Sequence, residues 1–415
     1  MNSKICLFED AGFKNLLPLV YLRPVYDLRC GILTIREKIE KHFPSHDIIL
    51  HSRNVLVNSL RENKFNLLPD KIEDDSIIFV NGRLLPDSEF VEIINSAGNN
   101  TIFISGDELA AAKLTGTNLK SFLKQNPELI NTCDLPDCSK IEVKTKLLKY
   151  SWNYIYNNAD EIKKDFDLLV TASSEINEFP GVHFLNKGNI YLGKGVELLP
   201  NVVIDASKGP IYIGDNVKIM PNACIQGPVY IGNNSTIKPN SYIYEGTSIG
   251  PVCKAGGEIE NSIMHSYSNK QHDGFLGHSY LGSWVNIGAG SNTSDLKMNY
   301  GSVKVKLNGE DIDTGLTFLG LIMGDHSKCG IDTMFNTGTI TGISSSLFGC
   351  GFLPKYIPSF IWGGTDGYKE GEIRKAMETA KIVKSRRNVS MSVAKLELLK
   401  AAFEATKKER TDFIK

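Results

Sequence analysis

The chain has 415 residues, of which 41% are hydrophobic, and a formal net charge of −1 from 46 basic and 47 acidic side chains. This length leaves room for two or three domains, and the well-mixed charge argues against electrostatic binding to nucleic acid or to a membrane surface. Eight scattered cysteines and the absence of a basic leader or of an apolar run of membrane-spanning length favour a reduced, cytoplasmic protein.

The first third of the chain alternates short apolar runs with helical or polar stretches. Four runs are predicted to be buried strands and one a helix: residues 4–8, 48–51, 77–80 and 101–104, and residues 34–42. Such alternation indicates an α/β sheet, which binds ligands beyond the carboxyl ends of its strands. The candidate ligand loops are therefore residues 9–29 and the tripeptide Asn81-Gly82-Arg83.

The string LLPLVYLRPVYDLRCG, Leu16 to Gly31, resembles the start of a sugar-1-phosphate nucleotidyltransferase domain, a Rossmann-like α/β fold of the GT-A type. In that family a Gly-rich loop holds the nucleoside triphosphate, and Arg and Lys side chains neutralise phosphoryl charge. This chain has Val25 where the family has Lys, and Arg83 near the place of its metal-binding Asp. The missing carboxylate weakens the case for Mg²⁺, because hard cations prefer oxygen ligands.

Two interpretations of Arg23, Arg29 and Arg83 stay open. In one, they form with Asn81 a basic cradle for a phosphate or a nucleotide; in the other, they are solvated or ion-paired surface residues. Phosphate recognition is expected in either a divergent or a catalytically silent domain. No metal site is predicted from Cys133 and the nearby Cys138, because no second cysteine pair accompanies them.

A connector is predicted between the α/β domain and the remainder of the chain. Residues 110–146 are expected to be polar and irregular. Apolar residues at helical spacing then indicate a helix that ends near Val170. Trp152 and Tyr156 are expected to pack between domains rather than to bind a ligand.

An aliphatic residue recurs at every sixth position through the middle of the chain. The register comprises Leu192, Leu198, Ile204 and, after a slip of three residues, Ile213, Ile219, Ile225, Ile231, Ile237, Ile243 and Ile249. Three hexads per turn are typical of a parallel β-helix, with the aliphatic residues inside and small residues at the corners. The period breaks after Ile249 and resumes at Phe275, and an Asn308-Gly309 turn indicates a hairpin from Ser302 to Thr314.

The region after the break resembles the acetyltransferase half of the bacterial bifunctional enzyme that makes UDP-N-acetylglucosamine, a left-handed parallel β-helix of hexapeptide repeats. The matching strings are Asn269-Lys270-Gln271-His272, Val285 to Gly290, and Met298-Asn299-Tyr300-Gly301. His272 precedes Asn286 by fourteen residues, the family's spacing for its catalytic His. The resemblance implies that His272 is the general base, that Asn286, Asn299 and Tyr300 contact the sugar, and that Lys304 or Lys306 binds phosphate.

The same resemblance implies acetyl-CoA as co-substrate, lying along the outside of the coils, and a homotrimer with acyl-CoA sites between subunits. The chemistry is sound, because a His that titrates near neutrality can accept a proton from an amine that attacks a thioester. Two departures stand out: Lys270 is one residue closer to His272 than the family's Lys, and Glu260 replaces a phosphate-contacting Lys. The acceptor is therefore open. His278 and His326 are expected to be structural or coil-edge residues.

The C-terminal part is predicted to end the β-helix and to continue as helices. Phe352 to Gly364 is expected to close the last coil, and residues 371–408 to be helical with the basic run 384–387 on a solvated face. The whole chain resembles an alternative family of such bifunctional enzymes that is common in Bacteroidetes. The predicted domains are 1–146 (nucleotidyltransferase-like), 147–178 (connecting helix), 179–362 (β-helix) and 363–415 (helical tail).

Together these patterns predict an enzyme of sugar-nucleotide biosynthesis that transfers an acyl group from acyl-CoA to an amino-sugar phosphate. Two alternatives remain: a sugar-1-phosphate nucleotidyltransferase whose β-helix only trimerises the protein, and a regulator that binds sugar nucleotides without turnover. The expected partners are sugar phosphates, nucleotides and acyl-CoA, without nucleic acid or membrane.

Overall fold

The computed structural model describes residues 4–69, 76–171 and 179–415. An α/β domain comes first, a parallel β-helix follows, and three helices end the chain. No helix within the described ranges is long and apolar enough to span a lipid bilayer. The predicted connecting segment 147–178 is described only as far as residue 171, and its last seven residues lie outside the described part.

The α/β domain is built on one six-stranded sheet with a short two-stranded pair beside it. Its strands are β1 (Lys4–Phe8), β2 (Asp47–Leu50), β3 (Ser76–Asn81), β4 (Leu84–Leu85), β5 (Thr101–Ser105), β6 (Glu108–Thr115), β7 (Ser139–Glu142) and β8 (Lys146–Leu147). The sheet order is β2-β1-β3-β6-β5-β7; β1 is parallel to β2 and β3, β6 is antiparallel to both its neighbours, and β4 pairs with β8. The predicted strands are confirmed.

Five α-helices accompany the sheet. They are α1 (Ile35–His42), α2 (Asn54–Glu62), α3 (Ser88–Ser96), α4 (Gly116–Gln125) and α5 (Ser151–Leu169). The predicted first helix begins at a capping box, in which Glu37 N donates to Thr34 Oγ1 and Thr34 N donates to Glu37 Oε2. The expectation that residues 110–146 are irregular was wrong, because β6 and α4 bury Leu114, Leu119 and Phe122 in the core of the sheet.

The β-helix consists of three stacks of parallel strands, here called the first, second and third sheets. The first contains Ile190–Leu192, Ile211–Ile213, Val229–Ile231, Thr247–Ile249, Ile263–Ser266, Tyr280–Ser283, Leu321–Met323, Thr339–Thr341 and Tyr356–Ile357. The second contains Glu197–Leu198, Lys218–Ile219, Thr236–Ile237, Lys254–Ala255 and Asn269–Lys270 and, past a bridge at Asn286, Lys328–Cys329, Ser346–Leu347 and Ile361–Gly364. The third contains His183–Leu185, Val203–Asp205, Cys224–Gln226, Tyr242–Ile243, Glu258–Glu260 and Phe275–Gly277, followed by the pair Asn292–Thr293 and Met334–Phe335.

The predicted hexad register is confirmed, since its aliphatic residues fill one hydrophobic core inside the coils. The slip in the register has a simple origin: Ile190 pairs with Ile211, whereas Ile211 pairs with Val229, so the first of these turns is longer than the second by half a hexad. Many corners carry asparagine with φ between 42° and 63°: Asn201, Asn216, Asn222, Asn234, Asn240 and Asn261. Asparagine tolerates this left-handed conformation better than most residues.

The predicted break in the six-residue period after Ile249 is confirmed, but the coils themselves continue through this region. Thr236 pairs with Lys254 after a turn of three full hexads, but Lys254 pairs with Asn269 after a turn that is half a hexad shorter. The shorter turn moves the interior positions out of the hexad register. The core remains filled there by Ala255, Ile259 and Met264.

One insertion and an end cap complete the β-helix. The insertion contains the predicted hairpin, with strands Lys304–Leu307 and Glu310–Asp313. The last coil is followed by the antiparallel strand Gly367–Glu370 and by helices α6 (Ile373–Ser385), α7 (Val393–Ala405) and α8 (Lys407–Ile414). Tyr368 and Phe413 from this tail pack against the end of the β-helical core.

The α/β domain lies side-on against the first sheet of the β-helix. Outward residues of that sheet, Ile263, Tyr280, Ile322 and Ile340, belong to the same hydrophobic core as the α/β domain. Tyr280 Oη accepts from Arg29 N (2.9 Å) and donates to Arg29 O (3.1 Å). In the predicted connecting helix α5, Trp152 is buried in this shared core and Tyr156 Oη donates to Phe318 O (2.6 Å). The tail joins both parts, since α7 packs against α2 while α6 lies along the β-helix.

Candidate active site

His272 lies at the corner between the second and third sheets, on the turn after Asn269–Lys270. Its imidazole is exposed and makes no hydrogen bond within the described part of the chain. The backbone below it is held by Lys270, whose Nζ donates to the carbonyl oxygens of His272 (2.6 Å) and Gly256 (3.1 Å). The corner therefore presents an accessible nitrogen base on a fixed backbone, as a general base requires.

Lys270 itself points into the β-helix rather than towards solvent. Its backbone pairs with Ala255, and its side chain is 2% exposed. Burial lowers the pKa of the Lys270 ammonium to about 8, because the charged form loses its hydration. A lysine thus occupies a position that its neighbours in the same row fill with apolar residues.

A cleft of about 520 Å³ opens beside this corner, between the second sheet and the end of α6. The sheet contributes Lys254, Asn269, Gln271, Asn286 and Lys328, and the tail contributes Val383, Arg386 and Arg387. Asn286, a predicted sugar contact, therefore lies in a cleft that begins one residue from His272. Gln271 lines the cleft, whereas its neighbour His272 lies just outside the lining.

Four cations and no carboxylate line this cleft: Lys254, Lys328, Arg386 and Arg387. Arg387 Nη2 donates to Asn269 Oδ1 (3.1 Å), and Lys328 Nζ donates to His326 O (2.8 Å). Burial lowers the pKa of Lys328 to about 8, and burial together with the neighbouring cations lowers the pKa of Lys254. Uncompensated positive charge in a concave surface attracts multiply charged anions such as phosphate esters.

The other predicted substrate contacts of the β-helix are Asn299, Tyr300, Lys304 and Lys306, all on the insertion. Tyr300 is 74% exposed, and both lysines are exposed on the hairpin. The opposite face of the hairpin buries Val303 and Val305 in the shared core. None of the four lines the cleft beside His272, so a single chain does not bring them to it.

Asn81 and Arg83 meet in the α/β domain around the carboxylate of Asp10. Arg83 donates to it from Nε (2.9 Å) and Nη2 (2.5 Å), and Asn81 donates from Nδ2 (2.8 Å). Arg83 is fully buried and also donates to Glu108 (2.7 Å). A Cβ at Gly12 would lie 2.6 Å from Arg83 Cζ, so the loop after β1 can approach this closely only with glycine there.

These residues do not fit a Mg²⁺ site. The guanidinium of Arg83 already bridges Asp10 and Glu108, the two carboxylates that could supply oxygen ligands. No group of three or more His, Cys, Asp or Glu side chains in the described ranges could hold a metal ion. A divalent cation at this place would have to displace a buried guanidinium.

Arg23 and Arg29 lie against the β-helix rather than beside Arg83. Arg23 Nη2 donates to Asp325 (2.5 Å) and to Ser283 Oγ (3.1 Å). Arg29 is buried; its Nη1 donates to the Ile32 carbonyl, and its guanidinium carbon lies 5.2 Å from the ring centre of Tyr230. The three predicted arginines therefore do not meet in one cradle, and each is held by partners of its own.

A larger cavity, of about 800 Å³, lies beyond the carboxyl ends of β1 and β2 and is here called the loop cavity. Its lining from the α/β domain includes Phe13, Lys14, Leu17, Tyr21, Arg53, Val55 and Glu128. Asn308 and Gly309 of the hairpin and residues of α7 and α8 complete it. This is the position at which open α/β sheets bind ligands.

Two other histidines of the β-helix, His278 and His326, are largely buried. His278 Nδ1 lies 2.8 Å from Asp295 Oδ2, and its ring stacks on Phe318 at 5.2 Å. His326 is buried, and its pKa is lowered well below the ordinary value by burial and by nearby cations. Both positions agree with the expected structural or coil-edge roles.

The cations of the cleft were missed by sequence reasoning. The basic run 384–387 was expected on a solvated face, yet Lys384 is 6% exposed and its Nζ lies 5.1 Å from the ring centre of Trp284. For Lys254 and Lys328, the sequence did contain a signal of their orientation. Lys254 and Lys328 each precede an interior residue of a second-sheet strand, so both must point outward from the same sheet.

Two family models match the chain. Residues 5–174 match the model described as sugar nucleotidyl transferase, and residues 210–245 match the model described as bacterial transferase hexapeptide, six repeats. Residues 5–174 are thus similar to sugar nucleotidyl transferase domains, and residues 210–245 to hexapeptide repeats. The first match covers β1 to β8 and all of α5, and the second lies within the β-helix.

Several curated relatives are named as bifunctional proteins. A bifunctional sugar-1-phosphate nucleotidylyltransferase/acetyltransferase of Sulfurisphaera tokodaii is 32% identical over 91 residues, which is 22% of this chain and 23% of the relative. A bifunctional protein GlmU of Methanococcus maripaludis is 32% identical over 116 residues, 28% of this chain and 27% of the relative. The chain thus spans about a quarter of the length of the curated relatives it matches.

Solved structures also resemble part of the chain. The UDP-N-acetylglucosamine acyltransferase LpxA of Bacteroides fragilis has 18% sequence identity and a TM-score of 0.27, over 54% of this chain and 96% of that chain. A UDP-N-acetylglucosamine acyltransferase of Arabidopsis has 13% identity and a TM-score of 0.25, over 50% of this chain and 78% of that chain.

Proposed function

We propose that the protein is a transferase of sugar-nucleotide biosynthesis. In this proposal its β-helix transfers an acetyl group from acetyl-CoA to the amine of an amino-sugar phosphate, and its α/β domain is a divergent sugar-1-phosphate nucleotidyltransferase. The name of the Sulfurisphaera tokodaii relative, which joins nucleotidyl transfer and acetyl transfer, supports this pairing. The active site proposed for acyl transfer is the corner that holds His272 and Asn286.

The observation that carries the proposal is the basic cleft beside His272. Both substrates of such a reaction carry phosphate groups, and Lys254, Lys328, Arg386 and Arg387 supply matching positive charge without a competing carboxylate. Asn286 lies in the same cleft and offers an amide to sugar hydroxyls. An exposed imidazole next to a phosphate-binding cleft suits acyl transfer to a phosphorylated amine.

In the proposed reaction the neutral amine attacks the thioester carbonyl carbon of acetyl-CoA. A C–N bond forms, the C–S bond breaks, and the amine's proton moves to the imidazole of His272 and then to the departing thiolate. His272 needs to be neutral to accept that proton, and its exposure keeps the imidazole in contact with water. The hydrogen bond from Lys270 to the His272 carbonyl holds the base at the edge of the cleft.

Substitution His272→Ala tests the assignment. Loss of a general base lowers the rate by about two to four powers of ten, so we expect kcat for acetyl transfer to fall by that factor while the melting temperature stays nearly unchanged. His183→Ala, another exposed histidine of the β-helix, is the matched control and should retain full activity. Full activity of His272→Ala with each active acceptor, or loss only in His278→Ala, would contradict the assignment.

The α/β domain supports a second candidate function, because residues 5–174 match the sugar nucleotidyl transferase model. We propose that the loop cavity binds a sugar phosphate or a nucleotide, and that nucleotidyl transfer is weak. Arg83 between Asp10 and Glu108 leaves no evident place for the usual divalent cation. Calorimetric titration with UTP and dTTP should show binding, while pyrophosphate release with sugar-1-phosphates should be slow. Rapid Mg²⁺-dependent pyrophosphate release would contradict this view of Arg83.

A further inference from the structure

A small cavity lies where the three parts of the chain meet, and it is here called the junction cavity. Its volume is about 160 Å³. The α/β domain contributes Leu22 and Arg23 from the loop after β1 and Ser59 from α2. The β-helix contributes Ser283, Trp284, Asp325 and His326, and the tail contributes Lys384, Met391, Lys395 and Leu398. It is separate from the cleft beside His272, with which it shares only Trp284.

Positive charge exceeds negative charge around this cavity. Three cations, Arg23, Lys384 and Lys395, face one carboxylate, Asp325. Both oxygens of that carboxylate are already used: Oδ2 accepts from Arg23 Nη2 (2.5 Å), and Oδ1 accepts from Ser283 N (2.7 Å). In the described part of the chain, the ammonium groups of the two lysines have no hydrogen-bond or ion-pair partner.

Buried polar atoms without partners also border the cavity. Arg23 Nη1 and His326 Nδ1 are both buried and make no hydrogen bond in the described structure. The ring of His326 lies parallel to that of Trp284 at 6.2 Å, and Lys384 Nζ lies 5.1 Å from the Trp284 ring centre. Arg23 Nη1 is a donor in any state of the protein, and buried donors normally have acceptors, so the chain leaves hydrogen-bonding capacity unused beside this cavity.

The charge balance explains why water alone is a poor occupant. Burial and the nearby cations Lys395 and Arg23 lower the pKa of Lys384 to about 8. Asp325 alone therefore does not balance the positive charge around the Lys384 ammonium. An oxyanion would accept hydrogen bonds from several of these donors at once and offset the repulsion between them. About 30 Å³ per water in the liquid makes this cavity large enough for roughly five water-sized atoms, the heavy-atom count of phosphate.

We propose that the junction cavity binds a tetrahedral phosphate group. Arg23, Lys384 and Lys395 supply the charge, and Ser59 supplies a hydroxyl. Because Arg23 and Ser59 belong to the α/β domain and Lys384 and Lys395 to the tail, the bound group ties these two parts together beside the β-helix. Free inorganic phosphate and the phosphate of a sugar monophosphate share this chemistry, and both are compatible with the arrangement.

Isothermal titration with sodium phosphate, at constant ionic strength in a chloride buffer, tests the site. The full-length protein should bind phosphate, and its melting temperature should rise with phosphate concentration. Lys384→Met and, separately, Lys395→Met should each weaken binding by roughly ten- to a hundredfold, as expected for loss of one charged hydrogen bond. Lys395 is only half-buried, so Lys395→Met should fold normally and keeps the test valid even if Lys384→Met does not fold.

Two control substitutions on the same stretch of chain locate the phosphate. Lys381→Met removes an exposed lysine one turn before Lys384 and should leave phosphate binding unchanged. Arg386→Met removes a cation of the cleft beside His272; it should weaken any binding of phosphate in that cleft but leave the binding that depends on Lys384 and Lys395 unchanged. Loss of phosphate binding in Arg386→Met but not in Lys384→Met would place the anion in the cleft and overturn the proposal, as would the absence of phosphate binding by the wild type.

A second titration identifies the source of the phosphate group. Glucose-1-phosphate that binds as tightly as phosphate, with the same dependence on Lys384 and Lys395, would assign the site to a sugar monophosphate. Binding of phosphate alone would assign it to the free anion. A response to glucose-1-phosphate that persists in both lysine variants belongs to another site, such as the loop cavity, whereas a response to inorganic phosphate that persists undiminished in both variants would overturn the proposal.

Discussion

At the scale of single residues, Arg83 shows how a charged side chain can be structural inside a ligand-binding fold. Replacing it with Met would leave the Asp10 carboxylate buried without its guanidinium. Removing one partner of a buried ion pair typically costs about 3–5 kcal/mol, so Arg83→Met should lower the free energy of unfolding by that order. Urea unfolding of Arg83→Met against the exposed control Arg61→Met measures the difference.

The double variant Asp10→Leu/Arg83→Met sharpens this test. Because both charges are then absent, part of the lost stability should return. Arg83→Met that keeps wild-type stability but no longer binds nucleotide would instead support a phosphate cradle.

The pattern Asn-Gly-Arg marked the position correctly as a loop after a buried strand. It could not show which carboxylates the guanidinium meets, since Asp10 and Glu108 are 73 and 25 residues away in sequence.

The cleft beside His272 illustrates the same limit for a candidate site. His272 and Asn286 could be found from sequence because both belong to short motifs on neighbouring coils. Lys254, Lys328 and Arg386 are spread over more than a hundred residues. Only the stacking of the second sheet and the return of α6 along it bring these three cations together.

At the scale of elements, the interior row of the second sheet contains one lysine. Lys270 aligns with Ala255 on one side and lies in the coil that precedes Ile287. Its two carbonyl partners, on Gly256 and His272, are held by a buried ammonium whose pKa is lowered from 10.5 to about 8. Burial of the Lys270 ammonium therefore costs stability, while its two hydrogen bonds fix the backbone of the corner that carries His272.

This cost predicts a pH dependence of stability. Between about pH 8 and 10.5 the unfolded chain binds the Lys270 proton more tightly than the folded chain, so wild-type stability rises with pH in this window. Lys270→Met lacks this contribution. Its free energy of unfolding relative to wild type should therefore fall by at most about 3 kcal/mol as pH rises from 8 to 10.5. The exposed control Lys194→Met should show no such trend in urea unfolding, and a constant difference for Lys270→Met would contradict the predicted burial.

The coils around Lys270 also show why the hexad pattern was only partly informative. Where each turn contains three full hexads, the aliphatic register predicted every interior position. Where a turn is half a hexad shorter, the same geometry is kept by shortening the corners, and the repeat in the sequence disappears. Asparagine was an additional signal for the positions of the corners. Along one corner, Asn201 Nδ2 donates to Asn222 Oδ1 and Asn222 Nδ2 donates to Asn240 Oδ1, both at 3.1 Å.

At the scale of the whole molecule, the α/β domain and the tail occupy two sides of the β-helix. The first sheet is covered by the α/β domain, and part of the second is covered by α6. The sequence predicted each part but not their packing, because outward aromatic residues such as Tyr230 and Tyr280 resemble exposed strand residues until a partner surface is known. Both are buried by the α/β domain.

The third sheet has several exposed large apolar residues. Tyr242 is 53% exposed, Met334 37% and Phe352 59%, and the backbones of the last two form a bridge in consecutive coils. Contiguous exposed apolar residues on a flat sheet favour association with further copies of the chain, and closed symmetry is the usual result. We propose a homotrimer built on this side, as the hexapeptide-repeat resemblance implies.

Light scattering coupled to gel filtration should therefore give three times the chain mass of 45.9 kDa at micromolar concentration. Tyr242→Glu and Met334→Glu place charges on the third sheet and should release monomers, since burying an unpaired carboxylate in an interface is costly. The matched control is Ile382→Glu, which adds the same charge at a 61% exposed position of α6 and should leave the trimer intact. A monomeric wild type, or a trimer that survives both third-sheet substitutions but not Ile382→Glu, would show that this side of the β-helix is not the interface.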